Sequence, residues 1–198
     1  DRGFSYRYDV KLDMRMNTEQ KISAYDVVNT YSEEQLSKII FEYGEERHAR
    51  KIAKLIVEER KSSPIEKTSD LITLIKRAYP ERAAKHPAKK TFQAIRIEVN
   101  RELEVLENAM SKAVDLLKIG GRLAIITFHS LEDRIVKNKF KDLATACKCP
   151  KDIPICVCGG VKKFEIITKK PIIPIDDELK NNNRAHSSKL RILERILD

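Results

Sequence analysis

Apolar positions recur at three- and four-residue intervals over most of the first 117 residues, and the period then shortens. Ser32 with Gln35 three residues on forms a capping box. Leu36, Ile39, Ile40 and Tyr43 follow at i, i+3, i+4 and i+7, and Gly44 stands where a helix C-terminal cap falls. Over residues 45–60, Ala49, Ile52, Ala53 and Ile56 share one helical face, while Arg47, Arg50, Lys51 and Lys54 make the other face basic. A third helix over residues 69–78 buries Leu71, Ile72, Leu74 and Ile75 and stops before Pro80. One long helical pattern then runs through Phe92, Ile95, Val99, Leu103, Leu106, Met110, Val114 and Leu117 and ends at Gly120-Gly121.

Residues 123–128 form a short continuous apolar run, which predicts a strand buried on both faces of a parallel sheet. His129-Ser130 follows at its carboxyl end. Ser130 with Asp133 reads as a capping-box-like start for a helix through about residue 143. Residues 161–168 read as a second strand, and Pro171 and Pro174 bracket an irregular stretch. The tail is ambiguous, since Leu190, Leu193, Ile196 and Leu197 fit a helix while Leu190 and Ile192 alternate. Near the start, Phe4, Tyr6 and Tyr8 alternate, which predicts an extended segment with three rings on one side. Core packing explains such a stripe more simply than base stacking does. Helix, glycine turn, buried strand, helix is α/β grammar. No internal repeat is visible.

Composition narrows the class. The 198 residues are 41% hydrophobic and 35% charged, enough apolar material for a core and too much for a disordered chain. Six Gly and seven Pro exclude collagen-like and low-complexity architectures. No run approaches the ~18 apolar residues of a membrane-spanning helix, and no secretory signal pattern occurs. The expected setting is cytoplasmic. Residue 1 is Asp and not Met, which leads to the expectation of a truncated chain. The net charge is +9, and residues 76–101 carry eight basic side chains against two acidic ones. A polyanionic partner and a merely basic surface both account for that excess.

The four cysteines are clustered as C-x-C-x6-C-x-C: Cys147, Cys149, Cys156 and Cys158. Four thiolates within twelve residues can close a tetrahedral structural zinc site. Reduced thiols and a local disulfide pair remain as other readings.

Ligands of open α/β sheets bind beyond the carboxyl ends of the strands. Residues 128–134 occupy such a place and offer an imidazole, a hydroxyl, two carboxylates and a guanidinium. Helix capping accounts equally well for Ser130 and Asp133, and a neighbouring ion pair for Arg134. No G-x-G-x-x-G, P-loop, G-x-S-x-G or H-E-x-x-H occurs. Pattern and composition alone therefore reach a basic α/β domain with a helical section.

Four stretches carry more. They are Arg2-Gly3-Phe4-Ser5-Tyr6 with Leu12-Asp13-Met14-Arg15-Met16; Tyr43-Gly44-Glu45-Glu46-Arg47; His86-Pro87-Ala88 with Thr91-Phe92-Gln93-Ala94-Ile95-Arg96 and Val99-Asn100; and Gly120-Gly121-Arg122-Leu123 running into Phe128-His129-Ser130-Leu131-Glu132-Asp133-Arg134. In this order they resemble the bacterial MraW/RsmH family of S-adenosylmethionine-dependent ribosomal RNA methyltransferases, over nearly the whole chain. The tail Asn182-Asn183-Arg184-Ala185-His186-Ser187 resembles the family's N-P-R-A-R-S, with Asn183 for Pro and His186 for Arg.

The resemblance implies methylation of a cytidine N4 in small-subunit (16S) ribosomal RNA, free or in the assembling 30S particle, with no membrane involved. It implies a Rossmann-like class I methyltransferase sheet with an inserted all-helical domain. On that plan residues 1–17 belong to the methyltransferase domain near the active site, 18–105 to the insertion, and 106–198 to the C-terminal strands, the tail being a strand. The family's Gly-rich cofactor loop and its ribose-binding acid lie upstream of the position matching Asp1. The expectation is therefore a C-terminal portion of a longer enzyme, with the missing N-terminal part as its partner, S-adenosylmethionine binding absent from this chain, and residues 123–128 at an unpaired sheet edge.

A cytosine amine delocalises its lone pair into the ring, so it needs acceptors that aim it at the methyl group more than it needs a strong base. The expected catalytic groups are His129, Ser130 and Glu132, as acceptors or orienters. Phe4 or Tyr6 is expected to stack on the extruded base, and Arg15 to hold a phosphate or the pocket wall. Arg47, Arg50, Lys51, Lys54, Lys85, Lys89, Lys90 and Arg96 are expected to grip RNA without reading its sequence. The rival reading is a non-catalytic basic RNA-binding scaffold held by a zinc site of all four cysteines.

Overall fold

A computed structural model of the protein describes residues 2–80, 87–147, 149 and 158–198. The chain divides into two compact units, Asp1–Glu102 and Leu103–Asp198.

The first unit contains α1 (Ala24–Thr30), α2 (Glu33–Glu42), α3 (Ala49–Glu59), α4 (Thr68–Arg77) and α5 (Ala88–Asn100). The Ser32–Gln35 box caps α2 as the sequence predicts, with both of its hydrogen bonds made. A second box, Ser23 with Asp26, starts α1, which the hydrophobic pattern did not reveal because only Ala24, Val27 and Val28 of its seven residues are buried. Leu36, Ile40, Ile52, Ile56, Leu71, Ile75 and Ile95 meet in one core. Gly44 works differently from the expected cap. Its φ is ordinary, and Glu45 takes the left-handed turn at φ 49°. Gly44 is needed because a Cβ there would stand 2.6 Å from the Ile40 carbonyl and 2.7 Å from that of Lys90, the close approach that brings α2 onto α5.

Residues 2–16 are not the extended aromatic stripe that alternation predicts. They fold back on themselves, with Met14 N–H donating to the Arg2 carbonyl at 2.7 Å and Lys11 bridging to Lys67. Phe4 and Tyr6 lie half-buried against the helical core, whereas Tyr8 is exposed. The segment packs as core because Leu12 and Met14, which carry no periodic signal, are its fully buried residues.

The long helical pattern over residues 92–117 is interrupted. Arg101 has φ 50° and separates α5 from α6 (Glu102–Asp115). Periodicity continues across the break, so spacing alone cannot show it. Asn100 fixes the end of α5 by donating to the Met14 carbonyl at 2.8 Å and accepting from Met16 N–H at 2.7 Å.

The second unit continues with β1 (Arg122–Thr127), α7 (Ser130–Ala144), β2 (Phe164–Ile166), α8 (Asp176–Asn181), a 3-10 turn (Asn183–Ser187) and β3 (Lys189–Arg195). The tail is a strand. The sheet order is β1-β3-β2, and both pairings are antiparallel. The predicted parallel, doubly buried β1 is therefore corrected: it alternates exposed and covered residues. Leu123 and Ile125 turn to a small core of Met110, Val136, Phe140, Phe164 and Leu193. The opposite face carries Ala124 and Ile126 beside Ile192 and Leu190, and Ile126 is 58% exposed. No described helix is long and apolar enough to cross a membrane.

Candidate functional site

The turn after β1 is built by the residue types of the motif itself. His129, not Ser130, is the N-cap of α7: its Nδ1 accepts from the Glu132 N–H at 3.4 Å. Glu132 reaches back, and its Oε2 accepts from Phe128 N–H at 2.7 Å and His129 N–H at 3.2 Å. Histidine is not among the preferred cap residues, so sequence reasoning gave the role to Ser130 and Asp133. The second Glu132 oxygen, Oε1, lies 3.4 Å from His129 Nε2. An imidazole accepting at Nδ1 carries its proton at Nε2 when neutral, and it is the two-way cap that ties the ring and the carboxylate together, the approach at Nε2 being close without a hydrogen bond. Their side chains are 10% and 23% exposed, and Ser130, the first residue of α7, is exposed. The structure thus joins all three predicted catalytic residues in one turn.

Asp133 serves another end. It is buried, and it receives Arg191 Nε at 2.7 Å and Nη2 at 3.2 Å, with Lys189 Nζ at 3.3 Å. The hydrogen bonds from Arg191, working against the cost of burial, hold its carboxyl below the usual carboxylate range. The pair pins α7 to β3, so the His129 turn is carried on a helix with a fixed register against the sheet.

In the first unit, Arg15 is engaged on every side. It makes a two-pronged contact with Asp13 (Nε–Oδ1 2.7 Å, Nη2–Oδ2 3.0 Å), and its Nη1 donates to the carbonyls of Thr18 and Gln20. The hydrogen bonds from Arg15 lower the Asp13 pKa. Arg15 and Asp13 line a cavity of about 260 Å³ with Lys11, Ser23, Tyr25 and Glu66. Tyr6 stands edge-on to Phe92 at 6.1 Å, and the Arg2 guanidinium lies 5.6 Å from the Phe4 ring.

The basic residues divide. Arg47, Arg50, Lys51, Lys54, Lys89 and Lys90 are exposed. Arg47 and Arg50 share a groove with Glu34, Lys38, Phe41 and Glu42 of α2. Lys90 Nζ donates to the Glu45 carbonyl at 2.7 Å, and Lys54 is 3.8 Å from Glu58. Arg96 makes a two-pronged pair with Glu102 at 2.8 and 2.9 Å. Lys85 lies outside the described residues, as does Cys156. The sulfurs of Cys147, Cys149 and Cys158 lie within 4.8 Å of one another.

Pattern reading missed Glu46. It is buried, accepts from the Tyr79 hydroxyl and from His48 N–H at 2.9 Å, and the His48 ring lies 4.6 Å from that of Tyr79. Burial first, then the bond to Glu46, raises the Tyr79 pKa. The only signal was its place in Tyr43-Gly44-Glu45-Glu46-Arg47.

A family model described as the MraW methylase family matches residues 1–196. A protein of Fusobacterium nucleatum subsp. nucleatum named Ribosomal RNA small subunit methyltransferase H is 98% identical over 198 residues, all of this chain and 63% of that protein. Proteins of the same name from Clostridioides difficile and Clostridium botulinum (strain Kyoto) are 55% and 56% identical over 99% and 98% of this chain and 64% of their own lengths. The chain spans a little under two thirds of the length of the curated relatives it matches.

Proposed function

The chain belongs to the MraW methylase family, and from that premise we propose that it serves the methylation of small-subunit ribosomal RNA at the N4 amine of a cytidine. The observation that carries ribosomal RNA methylation is the near-identity, over all 198 residues, to a relative named Ribosomal RNA small subunit methyltransferase H, and the N4 amine is what the family resemblance implies. The turn at the carboxyl end of β1 supports it. The Glu132 carboxylate is the acceptor that an extruded cytosine amine requires, and the His129 ring, whose one Nδ1 lone pair already takes the Glu132 N–H, is the group that orients it. Ser130, exposed beside them, is a further acceptor. In the reaction the Glu132 carboxylate and the Ser130 hydroxyl hold the amine N–H bonds, which aims the nitrogen lone pair, and the carboxylate receives the proton released after alkylation. Phe4 and Tyr6 supply rings for stacking, and the exposed face of α3 with Lys89 and Lys90 supplies phosphate contacts. Lys85 is placed with them by sequence alone.

We propose further that β1, β3 and β2 are C-terminal strands of a Rossmann-like class I sheet and that residues 18–105 are an insertion into it. The apolar face on which Ala124 and Ile126 are exposed beside half-buried Leu190 and Ile192 supports that reading. S-adenosylmethionine is the methyl donor the family implies, and the glycine turn before β1 and the turn after it do not fit it. The amides of Gly120 and Gly121 are taken by the Arg195 and Lys118 carbonyls at 2.7 and 2.8 Å, and those after β1 by Glu132. Neither turn offers the open amides that cradle a nucleotide-like ligand. Neither turn is therefore a donor site.

The test is mass analysis of nucleosides from small-subunit RNA of a strain lacking the gene. The complete gene should restore N4-methylcytidine. His129→Asn, which keeps a good N-cap, should restore it roughly 10²-fold more slowly. A methyl group on any other atom sinks the amine assignment, and an unimpaired His129→Asn enzyme removes the imidazole from it.

A further inference from the structure

The methylation reading leaves three thiols without a role. Cys147 stands three residues beyond α7, Cys149 two residues later, and Cys158 just before Gly159-Gly160 on the return toward β2. The Cys147 and Cys158 sulfurs are 3.9 Å apart. A disulfide holds its sulfurs about 2.05 Å apart, so the two are joined by a thiol hydrogen bond and not by a disulfide. A tetrahedral ion with bonds of about 2.3 Å to sulfur sets its corners about 3.8 Å apart, which is the separation seen.

The backbone imposes the convergence. Gly159 has φ 58°, a left-handed turn that returns the chain onto itself. Gly160 then passes so close to the incoming arm that a Cβ would overlap the Ala146 carbonyl, and would stand 3.3 Å from the Cys158 sulfur. A side chain at 160 would push the two arms apart, and with them the thiols. The glycine pair is therefore a device that aims sulfurs from two arms at one point.

We propose that Cys147, Cys149 and Cys158 bind one zinc ion through their thiolates and so close the loop between α7 and β2. Thiolate sets select zinc, copper(I) or iron–sulfur centres over magnesium or calcium. Zinc needs no redox partner, and its binding balances as three Cys–S–H bonds exchanged for three zinc–sulfur bonds, with three protons released to solvent and a water kept in the fourth tetrahedral position. Its role is to anchor the C-terminal end of the helix whose first turn holds His129 and Glu132. The proposal rests on the three described thiols and is independent of the methylation reading.

Elemental analysis of the protein purified under reducing conditions tests it. About one zinc per chain is expected, falling to background in Cys147→Ser/Cys158→Ser. Should that variant not fold, cobalt titrated into the metal-stripped wild-type protein is expected to give intense thiolate-to-metal absorption with a one-to-one endpoint. Zinc below about a tenth of an equivalent together with no cobalt absorption overturns the proposal. So does iron in place of zinc, an intact mass two hydrogens light without metal, or full zinc retention by the double variant.

Discussion

The Asp133 carboxylate and the Arg191 guanidinium meet as a parallel two-bond pair, 2.7 and 3.2 Å, with side chains 12% and 10% exposed. Removing one partner strands the other charge, so Asp133→Ala should cost about 3–5 kcal/mol. Replacing both by apolar residues of similar volume, Asp133→Leu with Arg191→Met, should cost much less than the two single changes added together. Urea unfolding of the three variants checks this. Equal and additive losses would show that the pair contributes no coupling.

The same pair fixes an acid limb. Arg191 lowers the folded-state pKa of Asp133 below that of the unfolded chain. Its contribution is then complete above the unfolded value of about 3.9 and is lost as pH falls through the lower folded value. Unfolding midpoints of the wild-type protein should fall more steeply below about pH 4 than those of Asp133→Asn. Identical acid limbs would refute this.

The sequence revealed these features unevenly. The Ser32–Gln35 box and the buried face of α3 were legible because cap and period are local. The break at Arg101 was not, since Val99, Leu103 and Leu106 keep helical spacing while one backbone φ changes sign. Nor was the partner of β1, because pairing with β3 depends on residues some seventy positions away. The motif at residues 128–134 marked the right turn but hid its division of labour. His129 and Glu132 close the cap, and Asp133 leaves it for Arg191. Charge counting placed Arg96 among the RNA contacts, and only the fold puts Glu102 against it.

Gly44, two residues past α2, is where a Cβ would meet carbonyls of both α2 and α5. A Cβ there meets two carbonyl oxygens of rigid helices at 2.6 and 2.7 Å, neither of them the end of a flexible side chain. Gly44→Ala should therefore destabilise by about 1–3 kcal/mol, although alanine is the better helix former. Thermal unfolding measures it. A neutral or stabilising result would mean that the two helices part at no cost.

The exposed cations of α3 and of the turn before it, and the paired Arg96, should separate in a salt titration. Each phosphate contact contributes roughly 0.7 to the slope of log affinity against log salt for single-stranded RNA. Changing Arg47, Arg50 and Lys51 together to Glu should lower the slope by about two and weaken binding to all sequences alike. Arg96→Ala should instead cost up to about 1 kcal/mol of stability, because its guanidinium is held by both Glu102 oxygens, and should leave the slope unchanged. RNA binding by the complete protein at several salt concentrations decides the matter. An unchanged slope in the triple variant removes α3 from the RNA interface, and a reduced slope in Arg96→Ala returns that residue to it.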